Sequence, residues 1–156
     1  MKSETAIFGA GCFWHIELEF SKLLGVLKTE VGYMGGDESG EEVTYKEVCT
    51  GRTGHVEVTK IEFDQKKITY KKLLEKFWEI HDPSQLNRQG LDIGKQYRSV
   101  IFCTTEKQKK EAEESLKEMQ KKTKNKIVTK IEKAGKFYKA EEYHQKYLIK
   151  KGRNTC

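Results

Sequence analysis

Near the N-terminus the chain reads Thr5-Ala6-Ile7-Phe8-Gly9-Ala10-Gly11-Cys12-Phe13-Trp14. The apolar residues at its start are typical of a buried strand, which we expect over residues 5–9, and the glycines that follow permit a sharp turn. Apolar residues then recur at helical spacing as far as Leu27, so the pattern predicts a helix that begins near Cys12. A strand that turns into a helix in this way is typical of folds that combine a sheet with helices.

The rest of the chain alternates between the strand and the helix period. We expect strands over residues 26–33, 55–63, 98–103 and 127–131, and helices over residues 70–80, 106–122 and 141–150. Residues 84–97, which follow Pro83, fit neither period, and a long irregular segment in a small domain is more often functional than idle. With 156 residues and no internal repeat or linker-like tract, the chain fits one domain, built as an α/β fold or an α+β two-layer sandwich.

Composition restricts the class of protein. Charged residues make up 35% of the chain and its mean hydropathy is −0.78, but 7 Phe, 7 Tyr and 2 Trp argue against disorder. No apolar run approaches the ~20 residues of a membrane helix, and the short apolar stretch at residues 6–8 does not make a signal peptide. We therefore expect a cytoplasmic protein that has no membrane partner.

The net charge of +6 is concentrated in the last third of the chain. Residues 104–156 hold 16 of the 30 lysines and arginines but only 8 of the 24 acidic residues. Lysines and glutamates interleave there, as in residues 107–114, which is typical of a solvated helix face. A basic nucleic-acid-binding module is an alternative, but we expect no nucleic-acid partner.

The chain has four cysteines: Cys12, Cys49, Cys103 and Cys156. None forms a C-x-x-C pair and no histidine lies at metal-ligand spacing from them, so we expect no metal site. The absence of a secretory signal argues against a disulfide framework. The cysteines are therefore either inert buried thiols or residues that carry out redox or nucleophilic chemistry.

Two kinds of site fit the glycine turn before Cys12. A Gly-x-Gly turn resembles part of a dinucleotide-binding fingerprint, but Trp14 stands at the third glycine position and is too large for the close contact required there. A cysteine at a helix N-terminus, where the helix dipole favours a thiolate, fits better, and Phe13 and Trp14 could line an apolar pocket beside it. Each of these residues, taken singly, is more often part of a core.

Five segments in a fixed order extend over nearly the whole chain. They are Gly11-Cys12-Phe13-Trp14, Gly32-Tyr33-Met34-Gly35-Gly36, Thr44-Tyr45-Lys46-Glu47-Val48-Cys49-Thr50-Gly51-Arg52-Thr53-Gly54-His55-Val56-Glu57, His81-Asp82-Pro83 with Asn87-Arg88-Gln89-Gly90-Leu91-Asp92-Ile93-Gly94-Lys95-Gln96-Tyr97-Arg98-Ser99, and Ala140-Glu141-Glu142-Tyr143-His144-Gln145-Lys146-Tyr147-Leu148. Together they resemble the peptide methionine sulfoxide reductase A family. The resemblance implies an α+β two-layer sandwich around a mixed β-sheet, with a ferredoxin-like core, and a single catalytic domain over residues 1–156.

The resemblance also implies the reaction. Cys12 would be the nucleophile, whose thiolate attacks the sulfur of methionine-S-sulfoxide, and Glu57 would be the acid that protonates the departing oxygen. A carboxylic acid keeps its proton near neutral pH only where desolvation raises its pKa. Strand alternation alone predicts the opposite environment, because Glu57 would face away from Val56 and Val58 toward solvent.

Further site residues follow from the same resemblance. Tyr45 and Tyr97 match tyrosines that hydrogen-bond the sulfoxide oxygen, and Asp92 matches a carboxylate that helps to hold a water and to order the site. Phe13 and Trp14 match the pocket for the substrate's S-methyl group.

Cys156 is the expected resolving cysteine, carried on a flexible tail over residues 151–156. It would condense with the Cys12 sulfenic acid to a disulfide, which thioredoxin then reduces; direct reduction by an external thiol is the alternative. Cys49 is expected to be structural and Cys103 to lie in the core.

The implied enzyme is a monomer that uses no metal or organic cofactor and takes its electrons from thioredoxin or dithiothreitol. Its substrates are oxidised proteins or free methionine-S-sulfoxide. His15 replaces the family's usual glycine and is expected to point to solvent; a position at the pocket rim and an effect on the electrostatics of Cys12 are the alternatives. Leu91 stands where small or polar residues are common, with little expected effect. A different thiol-dependent reductase or a peroxidase remains an alternative.

Overall fold

The computed structural model describes residues 3–151 of the chain. Its strands are β1 (Ser3–Ala10), β2 (Val26–Met34), β3 (Val56–Asp64), β4 (Arg88–Gln89), β5 (Asp92–Ile93), β6 (Ser99–Cys103), β7 (Lys130–Lys133) and β8 (Tyr138–Lys139). Its helices are α1 (Phe13–Ser21), α2 (Tyr45–Cys49), α3 (Tyr70–Glu79), α4 (Glu106–Lys122) and α5 (Tyr147–Lys150), with short 3-10 turns at Lys95–Tyr97 and Glu142–His144. Within these residues, no helix has both the length and the apolar character needed to cross a bilayer.

Six strands form one mixed sheet in the order β7-β6-β1-β3-β2-β8. Its neighbours pair antiparallel except β6 and β7, which are parallel. The helices α1, α3 and α4 bury their apolar side chains against one face, where Phe8 of β1 contacts the rings of Phe20 and Phe77 at centroid distances of 5.4 and 5.0 Å. The predicted α+β two-layer sandwich around a mixed sheet, in a single domain, is confirmed.

The central strands are covered on both faces of the sheet. Ile7, Val58 and Val100 pack on the face opposite the helices, beneath the partly buried Ala134 and Phe137 of the segment that leads into β8. Strands buried on both sides carry runs of buried residues instead of an alternation, and residues 6–10 of β1 are all buried.

Threonine side chains cap three of the helices. Thr44, Thr69 and Thr105 each precede a helix and accept a hydrogen bond from the third residue's backbone N–H, and at α2 Glu47 completes a capping box. Such caps satisfy backbone donors that have no partner within the helix and fix the residue at which the helix begins. Tyr45, the first residue of α2, owes its position to this cap.

The structure corrects two predicted elements near the C-terminus. The strand expected over residues 127–131 covers Lys130–Lys133, because the N–H groups of Ile127 and Val128 are bound to Gln120 Oε1 and the Pro83 carbonyl. The helix expected over residues 141–150 is broken into a 3-10 turn and α5 by Lys146, whose φ is +52°.

The structure also adds elements that the hydrophobic pattern did not predict. Helix α2 and strand β8 were not expected, and the irregular segment over residues 84–97 contains the hairpin β4–β5 and a 3-10 turn. The other predicted strands and helices are confirmed to within a few residues of their ends.

Candidate active site

Cys12 lies at the junction between the central strand β1 and α1. Gly11 turns the chain with φ +98°, and a Cβ atom on it would lie 2.9 Å from Gln89 Cβ, so the turn requires glycine. Cys12 is the N-cap residue of α1, and its half-buried side chain lies where the N–H groups and the dipole of the helix favour a thiolate.

Glu57 on β3 lies against the first turn of the same helix. Its Oε1 accepts a hydrogen bond from the Phe13 N–H at 3.2 Å, and its Oε2 has no hydrogen-bond partner among the described residues. Burial and, to a smaller extent, the charge of Asp92 raise the pKa of Glu57 to about 8, against the lowering effect of the Phe13 hydrogen bond. At neutral pH this carboxyl therefore holds a proton.

The exposure that alternation predicted for Glu57 is wrong: only 2% of the residue is exposed. Glu57 alternates with Val56 and Val58 and therefore lies on the same face of the sheet as Ile61 and Phe63, which the helices cover. The acid is buried because the first turn of α1 lies against it, which the sequence of β3 alone does not show.

Tyr45, Tyr97 and Asp92 approach Glu57 from three other segments, and Asp92 also lies beside Cys12. The Tyr45 and Tyr97 side chains interact with each other, and burial together with the charge of Glu57 raises the pKa of Tyr97 to about 12. The pKa of Tyr45 is also raised, mainly by burial. Asp92, on β5, is exposed and lines the cavity beside Cys12. The five predicted catalytic residues thus lie in one place.

The two predicted pocket residues differ in their access to solvent. Phe13 is 1% exposed and packs against Tyr33 and His144, with centroid distances of 5.8 and 5.2 Å. Trp14 is only half-buried; its indole stacks on Tyr147 at 3.9 Å and donates a hydrogen bond to His144 Nδ1 at 3.0 Å. Trp14 can therefore contact a ligand directly, with Phe13 packed behind the site.

Two residues of the C-terminal segment hold the site together, and neither was among the predicted site residues. Glu141 accepts hydrogen bonds at 3.0 Å from the Tyr33 hydroxyl and from the Tyr45 backbone N–H. His144 is buried among aromatic rings, including that of Tyr45 at 4.5 Å. The available signal was the last segment of the family resemblance, residues 140–148, which contains both residues but whose pattern was interpreted as part of a helix.

A cavity of about 320 Å³ opens beside the nucleophile, lined by Ala10, Cys12, His15, Ile80, His81, Gln89 and Asp92. His15 was expected to point to solvent, but it is half-buried and lines this cavity. The Nδ1–H of His81 donates to the Phe77 carbonyl at 2.6 Å, so His81 Nε2 accepts from the Ser99 hydroxyl at 2.8 Å. Burial lowers the pKa of His81 to about 4, which keeps this histidine neutral.

The remaining cysteines differ in their surroundings. Cys103 is buried, as predicted, and burial raises the pKa of its thiol to about 11. Cys49, expected to be structural, is exposed; its thiol interacts with Tyr45, and its pKa is raised by desolvation. Cys156 and the predicted tail, apart from Lys151, lie outside the described residues. Across residues 3–151, no group of three or more potential metal ligands is arranged to hold an ion.

Comparison with known proteins gives one consistent result. A family model described as peptide methionine sulfoxide reductase matches residues 4–156. A peptide methionine sulfoxide reductase MsrA from Methanothermobacter thermautotrophicus is 53% identical over 155 residues, which cover 98% of this chain and 90% of the relative.

Solved structures agree with the sequence comparison. Reduced Mxr1 from Saccharomyces cerevisiae superposes with a TM-score of 0.92 at 40% identity, covering 97% of this chain and 87% of that one. Mxr1 in complex with Trx2 matches with a TM-score of 0.66 at 27% identity, covering 94% of this chain and 85% of that one.

Proposed function

The chain belongs to the peptide methionine sulfoxide reductase family and is an oxidoreductase, and on this premise we propose that it reduces methionine-S-sulfoxide, free or within proteins, to methionine. One observation carries the proposal: a cysteine occupies the N-cap position of a helix whose first N–H group donates a hydrogen bond to a buried, protonated glutamate. The two groups are a nucleophile and an acid, as an attack on a sulfoxide requires.

Cys12 acts as the nucleophile and Glu57 as the acid. The thiolate attacks the sulfoxide sulfur, and Glu57 gives its proton to the oxygen. The oxygen ends on Cys12 as a sulfenic acid while methionine leaves, so the cysteine loses the two electrons that the substrate gains. Glu57 suits this role because its burial keeps it protonated at neutral pH.

The other predicted residues bind the substrate around this pair. Tyr45 and Tyr97 donate hydrogen bonds to the sulfoxide oxygen, since their raised pKa values keep both hydroxyls protonated. Asp92 orders the site and supports the proton on Glu57 through its charge. Trp14, backed by Phe13, receives the S-methyl group.

The recycling step uses the predicted cysteine near the end of the chain. Cys156 attacks the sulfenic acid, water leaves, and the resulting disulfide is reduced by a thioredoxin through thiol–disulfide exchange. The solved complex of Mxr1 with Trx2 supports a thioredoxin as partner. Cys49 and Cys103 are less suited to the attack, because their raised pKa values leave little thiolate. In this proposal the enzyme is a cytoplasmic monomer that works without a metal or organic cofactor.

The proposal is tested with separate S and R epimers of methionine sulfoxide and dithiothreitol as reductant. We expect conversion of the S epimer alone, and a loss of conversion in Cys12→Ser. Cys103→Ala is the matched control, since Cys103 is a buried cysteine of the core, outside the set of residues around Cys12. It should retain activity.

Two results would contradict the proposal. One is a failure of correctly folded parent protein to convert either epimer, in which case reduction of hydrogen peroxide would favour a thiol peroxidase. The other is full activity of Cys12→Ser.

Replacing dithiothreitol by thioredoxin then tests recycling, because Cys156→Ser should stop turnover with thioredoxin after one methionine per protein.

A further inference from the structure

A buried glutamate on α1 has no part in the proposed reaction. Glu17 is completely buried, and burial raises the pKa of its carboxyl against the lowering effect of the Thr29 side chain and the Lys146 N–H. Its Oε1 accepts a hydrogen bond from the Lys146 N–H at 2.5 Å, and its Oε2 has no hydrogen-bond partner among the described residues. Burying a carboxyl that is only partly hydrogen-bonded costs stability, so this position is not explained by packing.

The residue that Glu17 binds has an uncommon backbone conformation. Lys146 has φ +52° and ψ +37°, in the left-handed region that is unfavourable for a residue with a Cβ atom. In the described part of the chain, Asn87 is the only other residue besides glycine with a positive φ. Lys146 is exposed and its side chain makes no cap hydrogen bond, so its conformation is held through its backbone, where the Glu17 carboxyl binds the N–H.

The left-handed residue determines where α5 begins. The Lys146 carbonyl accepts from the Lys150 N–H at 2.9 Å, and the helix starts directly after it. Tyr147, the first residue of α5, stacks on the indole of Trp14 with a centroid distance of 3.9 Å and an interplanar angle of 13°. Because Trp14 and Glu17 are three residues apart, they lie on the same face of α1. They thus contact two consecutive residues of the C-terminal segment.

We propose that Glu17 is a positioning residue for the substrate pocket: by holding Lys146 in the left-handed conformation, it keeps the Tyr147 ring against Trp14. The inference rests on the proposed function and deepens it, since Trp14 is the residue proposed to receive the S-methyl group. Glu17 is completely buried and acts on the substrate only through Tyr147 and Trp14. A pocket wall whose supporting contact is lost moves more freely and binds its ligand less tightly.

The first test replaces the carboxyl. Glu17→Leu removes the hydrogen-bond acceptor and keeps a buried side chain of similar size. With dithiothreitol as reductant, it should raise KM for methionine-S-sulfoxide about fivefold with a smaller change in kcat, as expected for one lost hydrogen bond that supports the pocket. In a Trp78→Phe background, the fluorescence of Trp14 should shift to longer wavelength. Glu17→Gln retains an acceptor and should restore both values toward those of the parent.

Glu19→Leu is the matched control. Glu19 lies on the same helix, but its carboxylate pairs with Lys76 of α3 and Lys22 of α1 instead of binding the C-terminal segment. This variant should leave KM and the emission maximum at the parent values.

Substitutions of Lys146 distinguish a positioning role of Glu17 from packing alone. Glycine adopts a positive φ without steric cost, so Lys146→Gly combined with Glu17→Leu should bring KM to within about twofold of the parent value. Lys146→Ala removes the same charged side chain but keeps the Cβ atom, and should leave the raised KM of Glu17→Leu unchanged. If Glu17→Leu does not fold, Lys146→Pro tests the same contact from the exposed side, because proline has no N–H and cannot adopt a positive φ. It should give the same rise in KM and the same emission shift.

Two results would overturn the positioning role. One is an unchanged KM and emission maximum in Glu17→Leu or, where that variant does not fold, in Lys146→Pro. The other is a KM that is equal in the glycine and alanine double variants, which would reduce Glu17 to packing. The emission shift needs no substrate, so the two proposals fail separately: a parent that converts no sulfoxide overturns the proposed function, whereas an active parent with unaffected variants overturns the role of Glu17 alone.

Discussion

Glu57 carries a proton at neutral pH because it is buried and because only one of its oxygens is hydrogen-bonded. As pH rises through about 8, the carboxyl ionises and the acid of the reaction is lost. The rate of the first methionine released per protein, measured by rapid quench without added reductant, should therefore fall above about pH 8. Glu57→Gln should lower that rate by about 10²- to 10⁴-fold and remove the alkaline fall.

A second measurement on the same variant checks the cause. Folding raises the pKa of this carboxyl, so between its unfolded-state pKa and about 8 the folded protein holds a proton that the unfolded chain has lost. The free energy of unfolding therefore decreases as pH rises through this range. Thermal unfolding should show that Glu57→Gln gains stability relative to the parent between pH 5 and pH 9. Glu62→Gln, on the same strand but partly exposed, should show neither effect. A parent whose first-turnover rate is flat from pH 6 to 9.5 would contradict the assignment.

At this scale the sequence predicts some site residues and misses others for physical reasons. The position of Cys12 at the start of a helix could be predicted, because the glycine turn and the helical pattern that indicate it are its sequence neighbours. The surroundings of Glu57 depend on helix α1, whose first N–H group binds it across 44 residues of chain, and His144 meets Trp14 across 130 residues. No local pattern contains such contacts; motif resemblance indicated Glu57, whereas His144 was found only from the structure.

The 3-10 turn Glu142–His144 is joined to α1 by one hydrogen bond between side chains. His144 Nδ1 accepts from the Trp14 indole, so His144 must be neutral with its proton on Nε2, and burial lowers its pKa accordingly. We expect His144→Leu to release the indole, raising KM for methionine-S-sulfoxide about fivefold with a smaller change in kcat. In a Trp78→Phe background, the remaining Trp14 fluorescence should shift to longer wavelength as water reaches the ring.

The conservative variant separates positioning from packing. His144→Asn places an amide oxygen near the position of Nδ1 and should restore both KM and the emission maximum toward the parent values. If His144→Leu binds substrate as the parent does and its emission is unchanged, the hydrogen bond does not position Trp14.

The predicted elements differ in how far their own sequence determines them. Helices α3 and α4 follow from apolar spacing and threonine caps, since their hydrogen bonds are internal. The bounds of the strand predicted over residues 127–131 and the continuity of the helix predicted over residues 141–150 were wrong, because groups outside each segment bind its backbone N–H groups. Gln120 and Pro83 do so in the first case, and the Glu17 carboxylate, which accepts from the Lys146 N–H, does so in the second. Helix α2 has five residues, too few for a periodic signal.

The molecule as a whole is closed by its C-terminal segment, which completes the sheet edge at β2. Strand β8 pairs with β2 only at Gly32 and Tyr33. Beyond that pair, the Ala140 N–H donates to the Val31 carbonyl at 3.0 Å, and the buried Gln145 side chain extends the pairing: its Oε1 accepts from the Val31 N–H and its Nε2 donates to the Val31 and Ala140 carbonyls, each at 2.9 Å. The Gln145 amide thus contributes three of the hydrogen bonds that hold to the sheet the segment that carries Glu141 and His144.

We therefore expect Gln145→Ala to destabilise the whole protein. The change leaves the buried Val31 N–H without its acceptor and removes two further bonds, so the free energy of unfolding should fall by about 2–4 kcal/mol. Chemical denaturation with urea measures it, and Gln65→Ala, at an exposed turn position, is the control that should change stability by less than about 0.5 kcal/mol.

Activity distinguishes a global role of Gln145 from a local one. Because the segment also holds Tyr45 through Glu141 and Trp14 through His144, its release should raise KM for methionine-S-sulfoxide at temperatures well below the unfolding midpoint. Amide exchange at Val31 should accelerate in the same variant, since its N–H loses its partner. An unfolding midpoint equal to that of Gln65→Ala, with Val31 still protected, would show that strand pairing alone closes the sheet and that the amide is dispensable.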